Sequence, residues 1–360
     1  MPNAPRVLPR LEAPDPAPRT PADLRRVGID PDFWYPVAQS AELAPGKTLA
    51  KAFAGEPIVL ARPERGGVFA LEDRCAHRQV PLSAGEVCGD RLKCCYHGWT
   101  YDAAGRCVDV PYLDANPNGV RSYPCREAGG LIFVFPGRAE RAGEVAFPAL
   151  PLDPRYKVLT LDYRVNCHYS FMHENLMDMN HQHLHRGLMG KIRAKLLDLR
   201  SGEDWVEADY TFERTAGSQN WGERFMLGWR KAPSVERGHD LMTVRTGYPY
   251  QTLKFWTAEG DEPALDLWNA YVPVDAAQRV NHQFGLMAVR RPSLPGVIHL
   301  LWPVIKRFTA GIFAEDRWIV EREQAAYERQ QGDHNQEVFP AILRLREVLR
   351  ARGVPLADEP

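Results

Sequence analysis

Two short boxes of thiolate and imidazole side chains constrain this chain more than anything else in it. Cys75-Ala76-His77 is followed, after sixteen residues, by Cys94-Cys95-Tyr96-His97. Each box offers one Cys and one His beside Gly- or Pro-containing turns. Tetrahedral zinc accepts two Cys and two His, but it usually pairs Cys with Cys about two to four residues apart. A Cys-x-His spacing sets both ligands at the tip of one loop, reaching toward different metals. That suits a [2Fe–2S] centre in which two His replace two Cys on one iron. Cys75 and Cys94 would then hold one iron, and His77 and His97 the other. A structural zinc or a plain buried Cys/His cluster is the alternative reading.

The rest of the chain must house such a centre. With 360 residues it can bury a large core, as two domains or one large one. Its formal net charge of -1 gives no basic surface for nucleic acid. No apolar run is uninterrupted for the length of a bilayer, and residues 1–30 lack a signal-peptide core, so a cytoplasmic protein without membrane attachment is expected. Seven cysteines are an odd number for a simple disulfide framework. Cys88, Cys107, Cys125 and Cys167 have no His partner in the loop pairing and read as small buried hydrophobes.

The proline-rich start reads as a flexible arm, assigned to residues 1–30. Short β-like runs punctuated by Gly and Pro follow and predict a small antiparallel β-domain over residues 31–145. Residues 146–360 form the second unit. A helix is predicted over 169–195, and a half-buried strand over 204–214 from the alternation of Val206, Ala208, Tyr210 and Phe212 with acidic and polar neighbours. Further strands are predicted at 241–257, 265–274 and 282–290, and helices at Arg317–Gln331 and Gln336–Arg352, stopped by Gly353. The apolar run Val297–Phe313, broken by Pro303, Lys306 and Arg307, reads as a lid over a site. The fold class is α+β.

A second metal signal lies in Glu174 to His185. On a helix, His181 and His185 stand one turn apart on one face. Two such imidazoles plus a distant carboxylate make the facial triad of non-haem Fe(II) centres, which leaves coordination positions open. His183 points away from His181 on a regular helix, and His168 with His173 is a rival pair. A solvated, His-rich helix face is the bland alternative.

These motifs resemble the Rieske ring-hydroxylating oxygenase family, whose boxes read Cys-x-His and Cys-x-x-His-Gly-Trp, here ending at Gly98-Trp99. The family also shows Asn-x-x-Asp-x-x-His-x4-His. Asn175, Asp178 and His181 match it, while the second His comes one residue early, at His185. The resemblance implies a Rieske [2Fe–2S] domain followed by a helix-grip, START-like catalytic domain with mononuclear Fe(II). It implies that Asp178 bridges a cluster His and an iron His across subunits of a head-to-tail homotrimer of the α-only type. It places the third iron ligand at Asp316, at the start of the last long helix, with Glu315 and Glu321 as substitutes. A flavin- or ferredoxin-type reductase would supply electrons, and O₂ would hydroxylate or oxidatively demethylate a small, aromatic organic substrate. A Rieske-type electron carrier without oxygenase activity, or a helix-grip binding protein with zinc, are the rival functions. Phe212, Phe255, Trp256, Trp268 and Tyr271 fall on predicted strands and could line a pocket or simply fill the core.

Overall fold

A computed structural model describes residues 23–114, 117–214, 241–256 and 262–356. The arm's first 22 residues lie outside these. Ordered backbone is already present at Asp23, inside the stretch expected to be arm. The reason is burial: Leu24, Val27 and Ile29 are enclosed, and Val27–Gly28 pairs antiparallel with Val354–Pro355. The two ends of the described chain thereby clasp each other.

Three small antiparallel sheets follow. Lys47–Phe53, Glu56–Arg62, Phe69–Glu72 and Ser122–Tyr123 form one, and Tyr35–Gln39, Leu131–Val134 and Cys125–Ala128 a second. The third, Glu86–Cys88, Arg91–Lys93, Thr100–Tyr101 and Cys107–Asp109, carries the second ligand box in its central turn. Every residue of Leu131–Phe135 is fully buried, so this strand packs on both sides. Phe133 meets Phe147 at 4.9 Å and Trp268 at 6.1 Å, which joins the N-terminal strands to the larger sheet behind them.

That larger sheet has seven antiparallel strands. In spatial order they are Tyr156–Val165, Asn281–Arg290, Leu265–Pro273, Tyr250–Trp256, Leu241–Gly247, Trp205–Arg214 and Ile192–Ser201. The expected alternation holds up to Tyr210, with Val206, Ala208 and Tyr210 buried, and then breaks, Thr211 being buried and Phe212 half-buried. The helices Tyr169–Met177, Val297–Gln330 and Pro340–Arg352 pack against the sheet and one another. This is the α+β, helix-on-sheet architecture expected.

Two expectations need correction. The helix predicted over 169–195 ends at Met177, because the Asp178 side chain accepts a hydrogen bond from Asn180 N–H and starts a 3₁₀ turn, Met179–His183. A short helix, Arg186–Met189, follows, and Gly190 at φ +83° turns the chain into the strand Ile192–Ser201. The long helix, in turn, starts at Val297 rather than Arg317. The run read as a lid is therefore its first half. Ile298, Ile305 and Phe308 are buried there, while Leu300 and Val304 are exposed. This helix is long and apolar enough to cross a membrane by length and composition, yet its inner face is packed.

The clasped ends bear on the site. Arg25, from the N-terminal clasp, donates to both carboxylate oxygens of Glu174 at 2.9 and 3.0 Å. Arg346, from the last helix, does the same from the other side at 3.0 and 2.9 Å. Burial opposes ionisation of Glu174, but the two guanidinium groups outweigh it and hold the carboxyl below its ordinary value. Removing either Arg would leave a buried charge half-compensated. Glu174 thus locks the helix Tyr169–Met177, which carries Asn175 into the site described next.

Candidate metal centres

The two ligand boxes form adjoining loops. Cys75 N–H donates to Val80 O and Gln79 N–H to Cys75 O, closing the first loop. In the second, Cys94 N–H donates to Trp99 O and Gly98 N–H to Cys94 O, with Gly98 at φ +73°. A side chain there would be strained, so Gly98 belongs to the turn geometry. Cys75 and Cys94 are buried, while His77 and His97 are exposed, their rings 4.5 Å apart. Trp99 stacks on His77 at 4.7 Å. Tyr101 reaches in from behind, with its hydroxyl 3.2 Å from Cys75 Sγ.

The donor chemistry fits an iron–sulfur centre with two thiolates inside and two imidazoles outside. Burial pushes the Cys94 thiol above its ordinary value, while the N–H groups of Tyr96 and His97 favour its thiolate. A bound metal takes up that thiolate. Cys95 is exposed, unlike the buried pair. Cys107 and Cys167 are buried as expected, but Cys88 is exposed and Cys125 only half-buried, because Cys88 ends a short hairpin strand.

The second group comprises His181, His185 and Asp316, whose ligand atoms all lie within 4.8 Å of one another. Among the described residues no other group of three or more His, Cys, Asp or Glu meets that test. Asp316 Oδ1 lies 3.6 Å from His181 Nε2 and 3.1 Å from His185 Nε2. Both outer nitrogens are already bound. His181 Nδ1–H donates to Asp178 O at 2.6 Å, and His185 Nδ1–H to Glu315 Oε2 at 2.7 Å. Those bonds hold both rings with their Nε2 atoms facing Asp316. Asn175 Nδ2 donates to Asp316 Oδ1 at 2.9 Å and holds the carboxylate in place.

The charges are mutually supportive. Burial works against a charged His185, but Asp316 and then Glu315 outweigh it and raise its pKa. Burial likewise opposes ionisation of Asp316, and the hydrogen bond from His185 leads the groups that bring its pKa down. Two imidazoles and one anionic oxygen on a shared face suit a divalent iron with open positions.

Sequence reasoning missed part of this. Glu315, named as a substitute for Asp316, instead meets His185 at Nδ1. Asp316 lies well inside the 34-residue helix Val297–Gln330, not at its start as expected. Glu321 faces elsewhere and accepts from Asn166. The rival His168 and His173 are buried apart from that group, His168 beside Ser170 and His173 beside Tyr271. Asp178 uses its side chain on Asn180 and its backbone on His181.

Beside the triad opens a cavity of about 340 Å³, walled chiefly by Met, Leu, Phe and Ile. Of the five aromatic residues considered from the sequence, only Phe255 lines it. Trp268 packs on Phe133 and Tyr250, Tyr271 donates to Gln251, and Phe212 is half-buried in the core.

Comparison with known proteins agrees with this geometry. A family model described as the Rieske [2Fe-2S] domain matches residues 33–124, and one described as the vanillate O-demethylase oxygenase C-terminal domain matches residues 165–351. A 4beta-methylsterol monooxygenase of Methylococcus capsulatus is 29% identical over 335 residues, covering 89% of this chain and 87% of that protein. The oxygenase component of dicamba O-demethylase from Stenotrophomonas maltophilia is 38% identical over 42% of this chain, an alignment that spans 47% of that protein. Among solved structures, dicamba monooxygenase bound to 3,6-dichlorosalicylic acid superposes with a TM-score of 0.72, at 23% identity, over 92% of this chain and 98% of that one. Fold and motifs together define an oxygenase with an iron–sulfur cluster and a mononuclear iron. The chain belongs to the Rieske non-haem iron oxygenases, with a C-terminal domain of the vanillate O-demethylase type.

Proposed function

We propose that this oxygenase holds its cluster on Cys75, His77, Cys94 and His97 and its mononuclear iron on His181, His185 and Asp316. The reading divides the chain into a Rieske domain at 31–145 and a catalytic domain at 146–360. The reaction is hydroxylation or oxidative demethylation of a small organic substrate with an aromatic or similarly apolar skeleton. The observation that carries this reading is the His181–His185–Asp316 group opening onto an apolar cavity of about 340 Å³.

When bound, iron at that group supplies O₂ activation beside the substrate. The chain's own residues do the rest. Glu315 and the Asp178 carbonyl keep the imidazoles in the tautomer that presents Nε2. Asn175 fixes Asp316, and the apolar walls orient the substrate and keep bulk water out.

Partners belong to the same proposal. Relatives are named as oxygenase components or as subunits of monooxygenase systems, which supports an external reductase. Beside the exposed His97 stands Tyr96, its ring 3.8 Å away and itself exposed. Exposed ligand imidazoles flanked by an exposed aromatic ring favour a neighbouring subunit in a homotrimer, with Asp178 as the bridge.

The test is O₂ consumption by the iron-loaded chain with a ferredoxin-type reductase, across aromatic acids, methyl ethers, methylamines and sterols. Coupled product formation with at least one class is expected, and Asp316→Ala should abolish it while the cluster spectrum persists. Full mononuclear iron content in Asp316→Ala would refute the ligand set.

A further inference from the structure

The cavity's polar groups are few, and most are already engaged. Asp316, His181 and His185 belong to the metal group. Arg290 sits at the exposed rim and pairs with Glu262 at 3.3 Å. Thr309 donates its hydroxyl to Met287 Sδ at 3.7 Å. One group stands apart. Gln182 lines the cavity, is only 4% exposed, and its Oε1 has no hydrogen-bond partner.

A buried amide oxygen without a partner has lost its water and gained nothing in return. The oxygen itself is closed off from water, so a ligand meets this amide where the rest of its side chain lines the cavity, and a flip of the amide brings the oxygen to that face. The 3₁₀ turn Met179–His183 sets this amide between the two imidazoles in sequence and in the same cavity wall. An amide offers an acceptor at one end and donors at the other, and rotation about its last bond exchanges them. Its complement is a neutral group that both donates and accepts. Away from the metal group a carboxylate is a poor match for this amide, because the other lining cation among the described residues is Arg290 at the rim, already paired with Glu262.

We propose that Gln182 is a specificity-determining residue, selecting a neutral substrate whose apolar skeleton carries a hydroxyl or a comparable donor–acceptor group. The inference rests on the oxygenase reading of this cavity. Leu253, Phe255, Ile305 and Phe308 would pack the skeleton while Gln182 sets which end lies toward the metal group.

The test measures binding, not turnover. Equilibrium dialysis of the iron-loaded full chain would compare 4-phenylphenol, biphenyl and biphenyl-4-carboxylate, which share a skeleton and differ at one end. The phenol should bind about tenfold more tightly than either of the others, the scale of one neutral hydrogen bond in a dry site. Gln182→Met, nearly isosteric, should remove that advantage and leave biphenyl unchanged; Gln182→Leu should do the same. A phenol that gained its affinity by direct iron contact would keep it in both variants, which would overturn the proposal. Equal binding of phenol and biphenyl by the parent, equal losses in the variants, a preference for the carboxylate, or no binding of any probe would overturn it as well. The underlying reading fails separately, through absent O₂ uptake with reductase, whichever way the binding series falls.

Discussion

Glu315 offers the sharpest test of how the mononuclear site is built. Its carboxylate accepts the Nδ1–H of His185 at 2.7 Å, short enough for a charge-assisted bond. His185 itself is 2% exposed, so no water can take over that role easily. Replacing such a partner of a metal-bound His typically costs about 10- to 100-fold in metal affinity or activity. The Glu315 side chain is 35% exposed, and solvent screens its charge, so the low end applies. Glu315→Ala should therefore weaken Fe(II) binding about tenfold, close to 1.4 kcal/mol. Glu315→Gln retains an acceptor without the charge and should lose only a fraction of that. The assay is anaerobic competition for Fe(II) against a chelator, with the cluster absorption as an internal reference. Unchanged affinity in Glu315→Ala, or Gln as damaging as Ala, would refute the idea that this bond aims the imidazole.

Three other outcomes are expected. Cys94→Ser should remove the brown cluster chromophore and Cys95→Ser should keep it, as visible spectra of the two purified variants will show, since Cys94 is buried at the loop base and Cys95 exposed. Asp178→Asn keeps the shape of the turn that starts at residue 179, so both metals should stay bound while, in single-turnover experiments, the reduced cluster fails to reoxidise; normal turnover would take Asp178 off the electron path. Glu323→Gln should raise the melting temperature at pH 8 and change it little at pH 4. Burial first, then Glu174 and Asp333, push the Glu323 carboxyl up to about 7 from 4.5, against the pull of Arg25 and Arg346. The native state thus holds its proton longer than the unfolded chain and loses stability as pH rises from 4.5 to about 7, by at most about 3 kcal/mol.

The two metal sites were not equally legible in the sequence. The cluster boxes are local: each is one loop, and spacing alone brings its Cys and His to the same tip. The mononuclear group joins residues on separate elements. His181 and His185 showed as a pair, and Asp316 was reached by resemblance. Glu315 and Gln182 left no pattern, since the role of each depends on a contact that only the packed helix Val297–Gln330 or the closed cavity creates. The family's His-x4-His spacing also looked violated, with His185 one residue early. The 3₁₀ turn resolves this. Four steps at three residues per turn advance the chain about 480° and rise about 8 Å. Five steps of α-helix advance it about 500° and rise about 7.5 Å. Three-residue hydrogen bonds continue past this turn, from Leu184 N–H to His181 O and from His185 N–H to Gln182 O, so the tight winding makes up for the missing residue and brings the rings of His181 and His185 to 5.0 Å. The Asp178 cap that ends the first helix is what permits the tighter turn. One residue thereby serves the family motif and sets the spacing that only seemed to break it.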